Sequence, residues 1–145
     1  MSVEAQTQIT INRPLKVVAG YAADLENVPN WYHGVTEAGW QTPPPAKPGS
    51  QVALINRLLG KRFPYVLEIV EYDVPRRVVM RSVEGTKMIT TYSWEPAGPK
   101  ATLMTLHRRG ECSPFNIMAT LVWKLGMRKR LARDLARLKA VLEAK

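Results

Sequence analysis

The sequence predicts an α+β fold, an antiparallel sheet covered by one long C-terminal helix. Three observations carry this. Residues 5–11 (AQTQITI) alternate polar and apolar, the period of a half-buried strand. Between residues 34 and 110 strand-like runs recur, separated by short turn segments, and short connections favour antiparallel neighbours. Beyond Ser113-Pro114 the period changes. Leu131, Leu135, Leu138 and Leu142 fall at i, i+4, i+7 and i+11, one stripe of a helix, with Arg130, Arg133 and Arg137 off it. A chain of 145 residues that is 46% apolar is long enough to bury a core, and is read as one domain spanning 1–145.

The elements follow in order. Asn12-Arg13-Pro14 stops the first strand, and Pro14 at the first helical position starts a helix carrying Val17, Val18, Tyr21 and Ala22. Asp24 caps a second short helix, which Pro29 ends. Strands are then expected at 34–41, 51–60, 63–72, 77–83, 87–95 and 101–110. The breaks hold turn residues: the proline-rich 42–49, Asp73-Val-Pro-Arg76, Glu84-Gly85 and 96–100. Ser113 offers an N-cap and Pro114 a first-turn proline for a helix that runs to the end. An antiparallel sheet of this size has an apolar face that needs a cover, and only the last helix is large enough.

The formal net charge of +9 is unevenly placed. Residues 113–145 hold eight Lys/Arg against two acids, and residues 1–112 hold thirteen against ten. A concentrated basic end attracts polyanions without choosing among DNA, RNA and anionic lipid. The single Cys112 forms no internal disulfide and suits a reducing cytoplasm. The first residues show neither a basic nor an apolar signal-peptide region. The longest apolar stretch, 115–127, is broken by Lys124 and is short of the roughly 20 residues a membrane span needs.

Local sequence resembles the START-like (Bet v 1-like, SRPBCC) superfamily. The stretch ITINRPLKVVAGYAADLENVPNWYHGV is similar to the family opening: a strand, a proline-started helix, an aspartate-led helix and a Pro-x-Trp element, here Pro29-Asn30-Trp31. LLGKRFPYVLEIVEYDVPRRVVMRS resembles the central hairpin, with its Glu-Tyr-x-x-Pro turn at Glu71, Tyr72 and Pro75, and TTYSWEPAGPKATLMTL resembles the last hairpin. The nearest likeness is to the polyketide cyclase/dehydrase and lipid transport group. The resemblance implies a helix-grip fold, a curved seven-stranded sheet with two short helices and a long C-terminal helix. It also implies a cavity between sheet and helix for a hydrophobic ligand. The family shares a scaffold and not a catalytic motif, so activity does not follow from it.

Given that fold, the cavity lining is expected from Met88, Tyr92 and Trp94 on one strand, Met104 and Leu106 on the next, and Met118, Leu121, Val122 and Leu125 on the last helix. Which strand face points inward stays open, because a slip of one residue exchanges the two sets. The competing reading is that these residues simply fill the core. Trp31 is the weakest candidate for the lining, since the resemblance implies a tryptophan that packs structurally beside the second helix. His33 and His107 have no partner evident in sequence, and neither has a neighbour at metal-ligand spacing, so no metal is expected. No phosphate-cradling glycine loop or nucleophile elbow is present, and no cofactor is expected.

Three functions compete. The first is binding, and carriage, of a hydrophobic small molecule: a lipid, quinone or polyketide-like compound. The second is a cyclase/aromatase-like enzyme using the same pocket, with His107, Arg108 or Tyr92 acting on the substrate. The third is a membrane-associated or partner-binding adaptor. Converging titratable groups in the cavity would favour the enzyme, and a purely apolar lining the carrier. Along the last helix every side begins apolar and becomes basic. That pattern suggests contact with an anionic membrane through Trp123, Met127, Arg128, Lys129 and Arg130, at the inner face of a membrane in the cytoplasm. Nucleic acid is disfavoured, since the cations are not interleaved with stacking aromatics.

Overall fold

The computed structural model describes residues 2–83, 87–111 and 117–145, and the side chains of 3–83, 87–111 and 124–145. β1 (Ser2–Ile11) leads into α1 (Leu15–Ala23) and a 3-10 helix (Leu25–Asn30). A run of strands follows: β2 (Val35–Trp40), β3 (Gln51–Leu58), β4 (Lys61–Asp73), β5 (Arg77–Ser82), β6 (Met88–Pro96) and β7 (Thr102–Glu111). The chain then forms α2 (Ile117–Glu143). All seven strands join one antiparallel sheet in the order β1-β7-β6-β5-β4-β3-β2. The first strand therefore pairs with the last, while α1 and the 3-10 helix carry the chain across to β2 at the other edge. The predicted α+β class and strand count hold. The turn expected at Glu84-Gly85 and the cap expected at Ser113-Pro114 lie outside the described residues.

Local chemistry explains the boundaries. Pro14 stays extended (φ −60°, ψ 151°) and caps α1 from outside, its carbonyl accepting from the Val17 and Val18 N–H groups. The helix therefore starts one residue later than expected. Its buried side is Val18, Ala19, Ala22 and Ala23, and Val17 faces outward. The Asp24 side chain accepts from the Glu26 N–H at 3.2 Å and starts the 3-10 helix. Pro29 sits inside that helix and does not end it. Register shifts between Val35 and Glu37 in β2, and between Ile69 and Glu71 in β4, mark bulges that bend those strands.

Against this sheet α2 lays its predicted stripe. Leu131, Leu135, Leu138 and Leu142 are 0%, 1%, 0% and 1% exposed. The far end of α2 is tied to β1 by Lys139 Nζ donating to the Thr10 carbonyl at 2.9 Å, and by the Asn12 N–H donating to Glu143 at 2.8 Å. The core between them includes Ile11, Met80, Tyr92, Trp94, Met104 and Leu106.

Candidate functional site

The site begins with strand parity. On β7, Thr102, Met104, Leu106 and Arg108 share the inward face. On β6, Thr90, Tyr92 and Trp94 do. The apolar members fill the core. Arg108 continues the same row yet remains only 8% exposed, so the fold carries a guanidinium inward. Thr90 lies opposite it in the ladder.

A cavity of about 260 Å³ opens between this end of the sheet and α2. Met88, Thr90 and Arg108 line it from β6 and β7, and Asn56, Tyr65 and Leu67 from β3 and β4. Tyr32, His33 and Val35 close it from the segment after the 3-10 helix, and Met127, Arg130 and Asp134 from α2. Two features deliver that closing segment. The Trp31 and Tyr32 N–H groups both donate to the Val28 carbonyl, which turns their rings inward. Gly34 then takes φ +92°, where a Cβ would sit 2.7 Å from Asn56 Oδ1. A side chain here would strain the backbone and push the Asn56 amide aside. A wider cleft of about 570 Å³ lies between α1, the proline-rich loop and Tyr72, but no buried cation lines it.

Inside the smaller cavity the polar groups converge. Arg108 Nε donates to Thr90 Oγ1 at 3.1 Å, Nη1 to Met127 Sδ at 3.5 Å, and Nη2 to the Tyr32 hydroxyl at 3.4 Å. Its guanidinium also stands 5.6 Å from the Tyr32 ring centroid. All these partners are neutral. Among the described residues no carboxylate lies within ion-pair distance of Arg108. The Tyr32 hydroxyl is also hydrogen-bonded to that of Tyr92. Burial pushes Tyr32 above the usual tyrosine range, with the Arg108 charge pulling it back. Burial and the adjoining Tyr32 hydroxyl push Tyr92 well above it, and burial likewise raises Tyr65. All three phenols therefore stay protonated at physiological pH and can donate hydrogen bonds.

Asp134 is the buried acid of the cavity. Burial raises its carboxyl above the ordinary carboxylate range, opposed by the His33 N–H it accepts at 2.9 Å and by the Arg108 charge. The sign of its effect follows by linkage. A raised folded-state value means the folded protein binds the proton more tightly, so stability falls as pH rises from the unfolded value through the folded one. Asp134→Asn keeps an oxygen for the His33 N–H and never ionises. It is expected to be more stable than the parent in denaturant at pH 7, with the gain vanishing below the ordinary aspartate range near pH 4. Equal stability gains at pH 3 and pH 7 would show that ionisation of Asp134 is not the cause.

The expected lining divides. Met88 lines the cavity. Tyr92, Trp94, Met104 and Leu106 face the right way but sit in the filled core, because the leucine stripe of α2 occupies the space beside them. Leu125 is 59% exposed, since it lies about 200° around the helix from the inward Met127. The side chains of Met118, Leu121, Val122 and Trp123 lie outside the described residues. Met127, expected on the outer face, is buried one turn before Leu131 and touches Arg108. Arg128, Lys129 and Arg130 are exposed, and Arg130 also borders the cavity. His107 points away from the cavity and meets Glu4 at 2.9 Å, and His33 contributes its backbone N–H to Asp134. Trp31 is fully buried, edge-on to Tyr32 at 4.6 Å between centroids, as a packing residue. Sequence reasoning missed Tyr32, Tyr65 and Asp134. Asp134 had a signal: it stands at i+3 from Leu131, on the edge of the buried stripe.

The family model described as polyketide cyclase / dehydrase and lipid transport matches residues 2–143. The chain belongs to this family. Solved structures similar to this chain agree in fold. TTHA0849 from Thermus thermophilus is 23% identical, with 98% of each chain covered and a TM-score of 0.79. The Zhui aromatase/cyclase from Streptomyces sp. R1128 is 12% identical, covering 99% of this chain and 94% of that one, at 0.80. A START superfamily protein from Mycobacterium smegmatis is 15% identical, covering 97% and 94%, at 0.71. At these identities the likeness establishes the scaffold. No curated protein matches the chain by sequence.

Proposed function

We propose that the chain binds, and carries, a hydrophobic small molecule whose head bears oxygen, either a carboxylate or paired carbonyls. The observation that supports this most is Arg108, a buried guanidinium beside an open cavity whose hydrogen-bond partners among the described residues are all neutral. Burying a cation without a carboxylate in direct contact costs several kcal/mol. Among the described residues three of its five N–H groups are engaged, leaving one on each terminal nitrogen. That fork suits a carboxylate or two adjacent carbonyl oxygens. Met88, Leu67, Val35 and Met127 supply the apolar surround. A volume of about 260 Å³ encloses a small ligand or the head of a larger one. A fatty acid and a β-diketone of a polyketide-like chain both offer such a head, and the family description is consistent with them, whereas a quinone would present one carbonyl at a time.

A second reading is cyclase-like catalysis in the same cavity, favoured by the convergence of Tyr32, Arg108 and Asp134. Arg108 would polarise a carbonyl and Asp134 would exchange the proton. His107 has no part in it, because it faces Glu4. The readings separate on whether a poly-β-ketone incubated with the protein loses water by mass.

Methionine methyl NMR tests the binding site itself. Met88 and Met127 line the cavity, whereas Met80 and Met104 are core residues away from it. Titration with decanoate, a carboxylate with an apolar chain, is expected to shift the Met88 and Met127 signals saturably and to leave Met80 and Met104 in place. Shifts centred on Met104 and Met80, or none at all, would contradict the assignment.

A further inference from the structure

We propose that the tip of the β3–β4 hairpin and the basic 124–130 stretch of α2 form a docking surface for an anionic lipid bilayer. The proposal is independent of what fills the cavity. It starts from a turn that the fold alone does not explain. Leu58 pairs with Lys61, so Leu59 and Gly60 form a two-residue hairpin loop, and both have positive φ, 52° and 77°. Such loops favour Asn-Gly, because asparagine tolerates the left-handed region and leucine does not. Here a leucine occupies that position and is 93% exposed, so it buries nothing in return for the strain.

Its neighbours repeat the pattern. Leu58 and Phe63 are 53% and 47% exposed. They continue the inward rows of Leu54 and Asn56 on β3 and of Leu67 and Tyr65 on β4, beyond the point where those rows are covered. The hairpin thus carries an apolar face past the body of the protein. Arg57, Lys61 and Arg62 flank it. Among the described residues Arg62 pairs with an exposed Glu37 at 3.6 Å.

The second half of the surface lies across the cavity. Asn56 and Tyr65, at the base of the tip, line the same cavity as Met127 and Arg130 of α2. On that stretch of helix Lys124, Arg128 and Lys129 are exposed, and so is Leu125. No acid occurs between Lys124 and Arg133. Exposed leucine and phenylalanine ringed by cations match the two layers of an anionic bilayer surface, acyl chains beneath negative headgroups. Nucleic acid would use the cations and leave the leucines in water.

The test compares the parent protein, Leu59→Asn, and Arg128→Gln/Lys129→Gln in sedimentation with two vesicle types. One is phosphatidylcholine alone, and the other contains about 30% phosphatidylglycerol. Leu59→Asn suits the turn better, so its melting temperature is expected to hold or rise. The parent should sediment with anionic vesicles only, and less as salt is raised. Leu59→Asn should bind them about tenfold more weakly, and the double variant should also weaken. Equal sedimentation with both vesicle types at low salt, or unchanged binding by Leu59→Asn, overturns the proposal. So does tighter binding to single-stranded RNA than to anionic vesicles that Leu59→Asn leaves intact.

Discussion

Leu135→Ala is expected to lower stability by about 2–5 kcal/mol, the range for truncating a buried leucine. Leu135 is 1% exposed and shares the core with Leu131 and Leu138, themselves fully covered. Truncation removes apolar contact and leaves a void that the sheet cannot readily close, because its seven strands are joined in one continuous hydrogen-bonded sheet. The control is Leu125→Ala on the same helix. Leu125 is 59% exposed, and its loss should stay within about 0.5 kcal/mol. Urea unfolding of both variants checks the pair. A loss below about 0.5 kcal/mol for Leu135→Ala would mean that α2 does not cover the sheet.

The element order was legible because each signal was local. Alternation marked the strands, proline and glycine marked the turns, and the leucine stripe marked the cover. The family likeness then supplied the way they assemble. Boundaries were legible to within a few residues: β1 runs back to Ser2, and β4 begins at Lys61 immediately after the Leu59-Gly60 turn. The site was legible only where it obeys a period. Met127 is the leucine stripe continued by one turn, and Arg108 is the Met104-Leu106 row continued by one step. Both were open to the same arithmetic. For Met127, a position next to a cationic run argued for the surface and lost to the geometry of the helix, whereas Arg108 entered only as one of three residues for the enzyme reading. Contacts between distant segments had no such signal. Tyr32 meets Tyr92 and His33 meets Asp134 only because the 3-10 segment is folded against the sheet and α2.

Arg108→Met is the second large effect, and it runs in two directions at once. Methionine has a similar reach and no charge. It removes the desolvated guanidinium, while Tyr32 keeps its bond to Tyr92. Replacing buried ionic groups by apolar volume is often neutral or stabilising, and Asp134, whose carboxyl the Arg108 charge pulls down, can take up a proton more readily once that charge is gone. The variant is therefore expected to melt at or above the parent temperature. Binding should move the opposite way. Two charge-assisted hydrogen bonds to a carboxylate are worth about 3 kcal/mol together, roughly a hundredfold in affinity. A residue kept for the fold would lose stability on replacement, and a residue kept for a ligand loses the ligand. The most direct measurement is thermal unfolding of parent and Arg108→Met beside calorimetric titration of each with decanoate. The account predicts a variant at least as stable as the parent that binds decanoate about a hundredfold more weakly. A variant that melts well below the parent and binds decanoate with unchanged affinity would contradict it.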